Sequence, residues 1–293
     1  QGNFDENIIN SNNIEDNGIH GIFINESDCS GNNITGNFLE SNGKYGIHVI
    51  ECIDTQIIGN MIYRNGDRCI NLTNTPTTYL KWNLCNTSRT EPILIDDAGN
   101  GNFTWIEAET HLAWCTGSGK PSNPYLIEDL IIDGKKASSG ISIKDSVKHF
   151  IIENCTVFNS SYSISEAGIK VMSSENGQLI ENNCSYNNGS GIFLYRCNNS
   201  IISYNNSSKN YYMGIYLVEC ENNTISHNRV LKNDFYGIAV DESSNINITN
   251  NYISNHSAWS LVFVHGEQTN IIENEIFHTK SNFSLVVAKS EDF

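Results

Sequence analysis

The stretch Gly214-Ile-Tyr-Leu-Val-Glu-Cys-Glu-Asn-Asn-Thr-Ile-Ser-His-Asn228 is followed 23 residues on by Gly237-Ile-Ala-Val-Asp-Glu-Ser-Ser-Asn-Ile-Asn-Ile-Thr-Asn-Asn251. Glycine, aliphatic and asparagine positions coincide. The same beat spaces Asn182, Asn205, Asn228, Asn251 and Asn274, and earlier Asn37, Asn60 and Asn83. Ile202, Ile225, Ile248 and Ile271 keep it, as do Ile34, Ile57 and Leu80. Tetrads of the form Gly-Ile-x-aliphatic open the repeats at Gly21, Gly46, Gly168, Gly191, Gly214 and Gly237; Ser260 and Ser284 continue the series without glycine. A fixed period of this length is the signature of a solenoid.

Within a repeat, apolar residues alternate over two to five positions, which is a strand period. Ile192 and Leu194 face one way and Phe193 the other. A single unit cannot bury its own inner face, but stacked units can, with parallel strands about 4.8 Å apart. The expected fold is all-β: a parallel β-helix with roughly 23-residue coils, right-handed by the general rule for parallel crossovers. About three coils are expected before residue 86 and six or seven after residue 130. The two asparagine series should form internal ladders, their amides bonding along the column and to corner backbone. Glycine at the head of the tetrad suits a bend needing positive φ or close backbone approach.

These repeats resemble the parallel β-helix repeat proteins, a superfamily of carbohydrate-binding and sugar-cleaving solenoids, over about four fifths of the chain. The resemblance implies the fold and leaves the activity open. The superfamily holds lyases, hydrolases, epimerases, adhesins, phage tailspikes and a periplasmic copper-processing family.

The beat fails once, after Cys85, and resumes at Gly140. Residues Glu91 to Gly134 hold Trp105, Trp114 and three of the four prolines. An open first coil must be covered. This irregular segment reads as the N-terminal cap of a second β-helix, so that residues 1–88 end a first helix and 89–293 form a second. A loop inserted into one continuous helix is the rival. Beginning mid-repeat without Met, the chain looks cut from a longer polypeptide, and it has no apolar span of about 20 residues.

A formal net charge of −16 argues against nucleic acid and anionic membrane surfaces as partners. It suits an extracellular or cell-surface protein whose partner is a glycan or a neighbouring subunit. Of 44 asparagines, sixteen begin Asn-x-Ser/Thr sequons. The repeat itself writes many of these, yet Asn102, Asn188, Asn255 and Asn282 fall in turns or the cap and are candidates for glycosylation. Cys29 and Cys52, like Cys197 and Cys220, are 23 apart and should stack at one corner. In-register side chains hold their Cβ atoms near 5 Å, longer than a relaxed disulfide favours. Buried thiol stacks are therefore expected.

Two outward columns carry aromatics: Phe193 and Tyr216 inside the tetrads, Tyr236 and Trp259 just before them. They could bind sugar rings or a neighbouring chain, or simply stack. Arg196, Glu219, Glu242 and His265 form the column two places beyond the tetrads, with Asp241 beside it. Glu219 and Glu242, about 5 Å apart, match the spacing of a retaining glycosidase pair, and mutual repulsion would raise one pKa. A solvated acidic ladder that holds calcium through Asp241 and Glu242 explains them equally well. No organic cofactor is implied. Against the superfamily's polygalacturonase-like enzymes, Asp96-Asp97 lies in the cap, Ile19-His20-Gly21 lacks the first glycine of Gly-His-Gly, and Arg-x-Lys does not occur. Met, His and Cys do not cluster along the chain as copper chemistry requires. The leading reading is a non-catalytic scaffold or binding surface; the alternative is a polysaccharide lyase or glycoside hydrolase using Glu219 and Glu242 near Arg196 and His265. The single loop insertion, Tyr162 to Ala167, gives little material for cleft walls.

Overall fold

The computed structural model describes residues 5–25, 29–63, 65–66, 69–81, 84–88, 91–112, 114–277 and 284–288. Asn83 and Asn282 lie outside them. The chain divides into two units, Gln1–Ser88 and Arg89–Phe293.

In the second unit the tetrads form a sheet of eight strands: Ile93–Asp96, Ile141–Lys144, Ala167–Met172, Ser190–Tyr195, Ile215–Val218, Ile238–Asp241, Leu261–Val264 and Leu285–Ala288. All are parallel and in register, as in Ile192 opposite Ile215, Ile215 opposite Ile238 and Ile238 opposite Leu261. A second face runs from Tyr125–Glu128 through Phe150–Glu153, Gly177–Ile180, Ile201–Ser203, Thr224–Ser226 and Asn247–Thr249 to Asn270–Ile272. A third holds Asn206–Ser208, Arg229–Leu231, Tyr252–Ser254 and Glu275–Phe277. Inward residues of all three faces, such as Ile192, Ile202 and Val230, meet in one buried core. Each contributes about 1.5–3 kcal/mol by leaving water. The first unit repeats the plan with Ile22–Asn25, Ile47–Ile50 and Ile70–Thr73 as its tetrad sheet, and its first coil is two residues longer, setting Ile22 opposite Ile47.

The corners explain the asparagines. Glu181, Tyr204, His227, Asn250 and Glu273 all have left-handed backbone, with φ between 55° and 59°. Such a corner costs an L-residue roughly 1–2 kcal/mol. The next residue is the ladder asparagine, which turns inward. Asn205 Nδ2 donates to Asn228 Oδ1 at 3.0 Å and to the Leu179 carbonyl at 2.8 Å, while its backbone N–H donates to the same Oδ1 at 2.9 Å. Each buried amide thus uses both donors and both acceptor sites. The pattern recurs from Asn182 to Asn274 and, in the first unit, from Asn12 through Asn37 to Asn60.

Further ladders were not anticipated from the spacing. Asn17, Asn42 and Asn65 form one, and Asn187, Asn210 and Asn233 form another. In the next coil His256 takes the asparagine's place. Its Nδ1 accepts the Asn233 N–H at 3.2 Å, so Nε2 carries the proton and donates to the Val230 carbonyl at 3.1 Å. Burial lowers its pKa to about 4, against the pull of those two backbone contacts.

Of the two reasons expected for the tetrad glycines, close approach is the one that holds: they do not adopt positive φ, but a Cβ at Gly191 would strike Ser207 Oγ, and one at Gly214 would strike Val230 Cγ1. Two expectations need correction. Cys29 and Cys52 are joined by a disulfide, with Cα atoms 4.8 Å apart, and not merely stacked as thiols. The segment 91–134 is less irregular than composition suggested: Ile93–Asp96 pairs with Ile141–Lys144 as a rung of the tetrad sheet, which carries Asp96 on a strand. A helix, Trp105–His111, follows; Thr104 caps it, accepting the Glu107 N–H while Glu107 accepts the Thr104 N–H. That helix delivers Trp105 into the core, fully buried and stacked on Tyr125 at 4.9 Å, its indole N–H donating to Ser146 Oγ at 3.0 Å. Trp114 is partly buried, edge-on to Phe103.

Two outcomes follow from the corners. Asn228→Ala orphans the Asn205 donors and the Ile202 carbonyl, each worth about 1–3 kcal/mol, so the urea midpoint should fall sharply without loss of register in the first unit. His256 has a folded pKa below its unfolded value near 6.5, so folding excludes its proton. Stability is intact above about pH 6.5 and falls as pH drops toward 4, by roughly 3 kcal/mol in all. Urea titrations at stepped pH should show that slope, and His256→Asn should remove most of it by restoring the ladder amide.

Candidate functional site

The outward face of the second unit's tetrad sheet carries the candidate residues, because strand alternation places every second side chain there. In-register pairing sets Lys170, Phe193, Tyr216, Ala239 and Val262 in one column, and Met172, Tyr195, Val218, Asp241 and Val264 in the next. Met213, Tyr236 and Trp259 stand just before the tetrads. Phe193 and Tyr216 stack at 5.3 Å, and Tyr236 and Trp259 stack at 5.3 Å with planes only 2° apart. Phe193 is buried, while Tyr216, Tyr236 and Trp259 are half-buried. Met213, Ala239 and Val262 are buried beneath the rings, forming an apolar cluster separate from the coil interior.

The four residues of the charged column, Arg196, Glu219, Glu242 and His265, all have left-handed backbone, φ 46–55°. Strain of this kind at an isolated residue points to function. Here it recurs in successive coils and belongs to the corner itself. Arg196 Nε donates to Glu219 Oε2 at 2.6 Å, and the guanidinium holds Glu219 below the usual carboxylate range. Of the two carboxylates expected to repel each other, Glu219 is therefore not the one raised. Asp241 and His265 bond at 2.8 Å. Donor atoms of Asp241, Glu242 and His265 all lie within 4.8 Å of one another. One imidazole and two carboxylates converging at an open corner are donors a divalent cation can use. At the other end of the face, Glu166, from the inserted loop, binds Lys170 at 2.8 Å and accepts the Ser139 hydroxyl at 2.5 Å.

One cluster escaped the sequence reading. In the first unit His20 stacks on Tyr45 at 5.0 Å and meets His48 edge-on at 4.8 Å, with Phe23 against both imidazoles. His48 Nδ1 lies 3.3 Å from His20 Nε2, and His20 Nδ1 accepts the Tyr45 N–H at 3.4 Å. Burial lowers the pKa of both imidazoles, and Lys44 lowers both further. Within the first unit these residues stand at the repeat positions that carry aromatics in the second: just before the tetrads and inside them. The signal was available: His20 precedes one tetrad, Tyr45 precedes the next, and His48 lies inside it.

Among the glycosylation candidates, Asn102 and Asn255 are exposed, and Asn188 is half-buried with its amide donating to the Ser160 carbonyl at 2.7 Å. No helix among the described residues is long and apolar enough to cross a membrane.

The Arg196–Glu219 pair is solvent-facing, so its measurable consequence is local. Arg196→Met should return the Glu219 carboxyl, followed by NMR titration, toward the ordinary range, while the melting temperature changes little.

Comparison with known proteins follows the fold. No curated protein matches the chain. Residues 2–105 match the family described as periplasmic copper-binding protein (NosD). Among solved structures, the periplasmic alginate epimerase AlgG aligns at 14% identity and TM-score 0.39, over 89% of this chain and 60% of its own. The A-module of the mannuronan C-5 epimerase AlgE4 from Azotobacter vinelandii aligns at 10% and 0.39, over 88% of both chains. Tailspike protein 2 of bacteriophage CBA120 aligns at 13% and 0.34, over 96% of this chain and 47% of its own. The chain thus spans less than two thirds of the epimerase AlgG, and none of these likenesses bears on activity. Residues 113–288, more than half of the chain, match the family described as right handed beta helix region, and the chain belongs to that family.

Proposed function

We propose that the chain is a non-catalytic β-helical scaffold of an extracytoplasmic protein, and that the outward tetrad face of its second unit binds glycan. The observation that carries this reading is the Tyr236–Trp259 pair: two half-buried rings stacked with parallel planes, one coil apart, beside the tetrad sheet. Such rings offer apolar faces to a sugar at little cost in side-chain entropy. Tyr216 extends the strip, and buried Phe193 backs it. Asp241, Glu242 and His265 border the strip and offer calcium or another divalent cation a place beside the ligand. Residues 1–88 serve as the end of one β-helix and 89–293 as a second, headed by the segment 91–134.

An extracytoplasmic setting is supported by the acidic surface charge, by the Cys29–Cys52 bridge, by exposed sequons at Asn102 and Asn255, and by the periplasmic description of the family that residues 2–105 match. Cell-surface placement and glycan occupancy belong to the same proposal. A lyase or hydrolase centred on Glu219 and Glu242 is less well supported, because the Glu219 carboxylate is already engaged by Arg196 at 2.6 Å.

The test is Trp259→Ala, compared with the parent chain on an array of neutral and uronate-containing polysaccharides, with calcium and with chelator. Binding should weaken about 5- to 30-fold, or about 1–2 kcal/mol, with little change in melting temperature. Unchanged binding, or loss of self-association in its place, rejects the glycan reading. Release of oligosaccharide or unsaturated product by the parent chain rejects the non-catalytic one.

A further inference from the structure

Cys197 and Cys220 sit one coil apart at the corner that follows the tetrad strands Ser190–Tyr195 and Ile215–Val218. Both are buried thiols in the structure, as the stacking predicted, and the Cys197 N–H donates to Cys220 Sγ at 3.4 Å. The corner is the counterpart of the one bridged in the first unit. Cys52 lies six residues after Gly46, as Cys197 and Cys220 lie six after Gly191 and Gly214, and each pair is separated by 23 residues. Parallel pairing brackets both. Asn25 opposite Ile50 and Ser30 opposite Ile53 enclose Cys29 and Cys52. Tyr195 opposite Val218 and Asn198 opposite Glu221 enclose Cys197 and Cys220, more tightly. The spacing that this bracketing produces in the first unit, 4.8 Å between Cα atoms, lies inside the range a disulfide spans.

We propose that Cys197 and Cys220 form a second coil-to-coil disulfide, closed while the chain folds in an oxidising compartment. Timing matters, because in the folded protein both sulfurs are shut away from solvent and so from any external disulfide. One cysteine thiolate attacks a small disulfide of the glutathione type, forming a mixed disulfide and releasing one thiol. The second cysteine attacks the protein sulfur of that mixed disulfide and releases the other. Two S–H bonds are lost and one S–S bond forms; two electrons and two protons pass to the small disulfide, leaving two small thiols. The bridge would pin the coil edge directly beside the Arg196–Glu219 pair and behind the Phe193–Tyr216 stack. Cys155 and Cys184 are not equivalent. Cys155 stands at the asparagine-ladder corner, its N–H donating to Asn182 Oδ1, while Cys184 occupies the inward column continued by Ser207 and Val230. They should remain thiols.

Serine is tolerated at this corner: Ser243 occupies it in the next coil, where its Oγ accepts the Cys220 N–H at 3.0 Å. Cys197→Ser/Cys220→Ser should therefore fold. The reduced, denatured chain is refolded in a buffer of oxidised and reduced glutathione, acid-quenched, alkylated and digested without reductant. Chain exported to a bacterial periplasm is digested directly in parallel. The expected result is one cross-linked peptide joining Cys197 to Cys220, about 2 Da lighter than its separate parts, with Cys155 and Cys184 alkylated. Reduction should lower the melting temperature of the second unit in the parent chain and in Cys29→Ser/Cys52→Ser, but not in Cys197→Ser/Cys220→Ser. Alkylation of Cys197 and Cys220 in both preparations, once β-sheet circular dichroism is regained, overturns the proposal whatever the state of Cys29 and Cys52. So does either cysteine joined to any other partner.

Discussion

The structure depends on one constraint: a chain that turns in left-handed corners every few residues must still satisfy the backbone groups those corners expose to the interior. Glycine would turn more cheaply, but it brings no side chain to bond the orphaned amides. Asparagine does. Its Oδ1 takes one backbone and one side-chain N–H from the preceding coil, and its Nδ2 reaches a carbonyl and the next Oδ1. Since every amide bonds the one beyond it, the ladder holds only if successive coils bring their corners into line; most do so with 23 residues, and the longer coils place their extra residues between the corners. The left-handed residue before each asparagine faces outward and is free to vary, as Glu181, Tyr204, His227 and Asn250 show.

The same constraint separates architecture from function. Inward columns and ladder corners are committed to packing and hydrogen bonding. Outward columns are not, and they hold what chemistry the chain has. Stacking copies one position at coil spacing, so a single ring becomes a strip and a single charge becomes a column. Neighbouring coils then neutralise each other, as Arg196 does for Glu219, or accumulate donors, as Asp241, Glu242 and His265 do. A surface made this way favours extended, repetitive ligands over compact ones.

Most of the architecture was legible in the residues, because parallel stacking turns sequence period into spatial register with no further information. Ile192, Ile215 and Ile238 had to lie above one another, and they do. Other features were legible and passed over. Asn187, Asn210 and Asn233 keep the same beat as the first ladder, and Thr104-Trp-Ile-Glu107 is a capping box written at the head of a helix. Other features could not be read from spacing at all. Whether Cys29 and Cys52 bond depends on fractions of an ångström between Cβ atoms, which the period does not specify. His20 and His48 are 28 residues apart, off the beat, and they meet only because neighbouring outward columns sit side by side on the sheet. The candidate face was legible as columns, but not which rings would be buried: Phe193 sinks while Trp259 stays half-open, a difference the period does not specify.

His256 carries the argument one step further. An imidazole can replace an amide in the ladder because one ring nitrogen accepts and the other donates, as an asparagine side chain does. It replaces the amide only while neutral, since a second proton would turn the acceptor toward the Asn233 N–H into a competing donor. The two backbone contacts that hold it, at 3.2 and 3.1 Å, therefore fix one tautomer and one charge. At every other coil the ladder is indifferent to pH, because an amide does not titrate. A single histidine in the column makes the whole stack above and below it answer to acid, since no coil can leave register without breaking the bonds of its neighbours. The cooperativity that lets 23 residues repeat is also what spreads the consequence of one protonation along the solenoid.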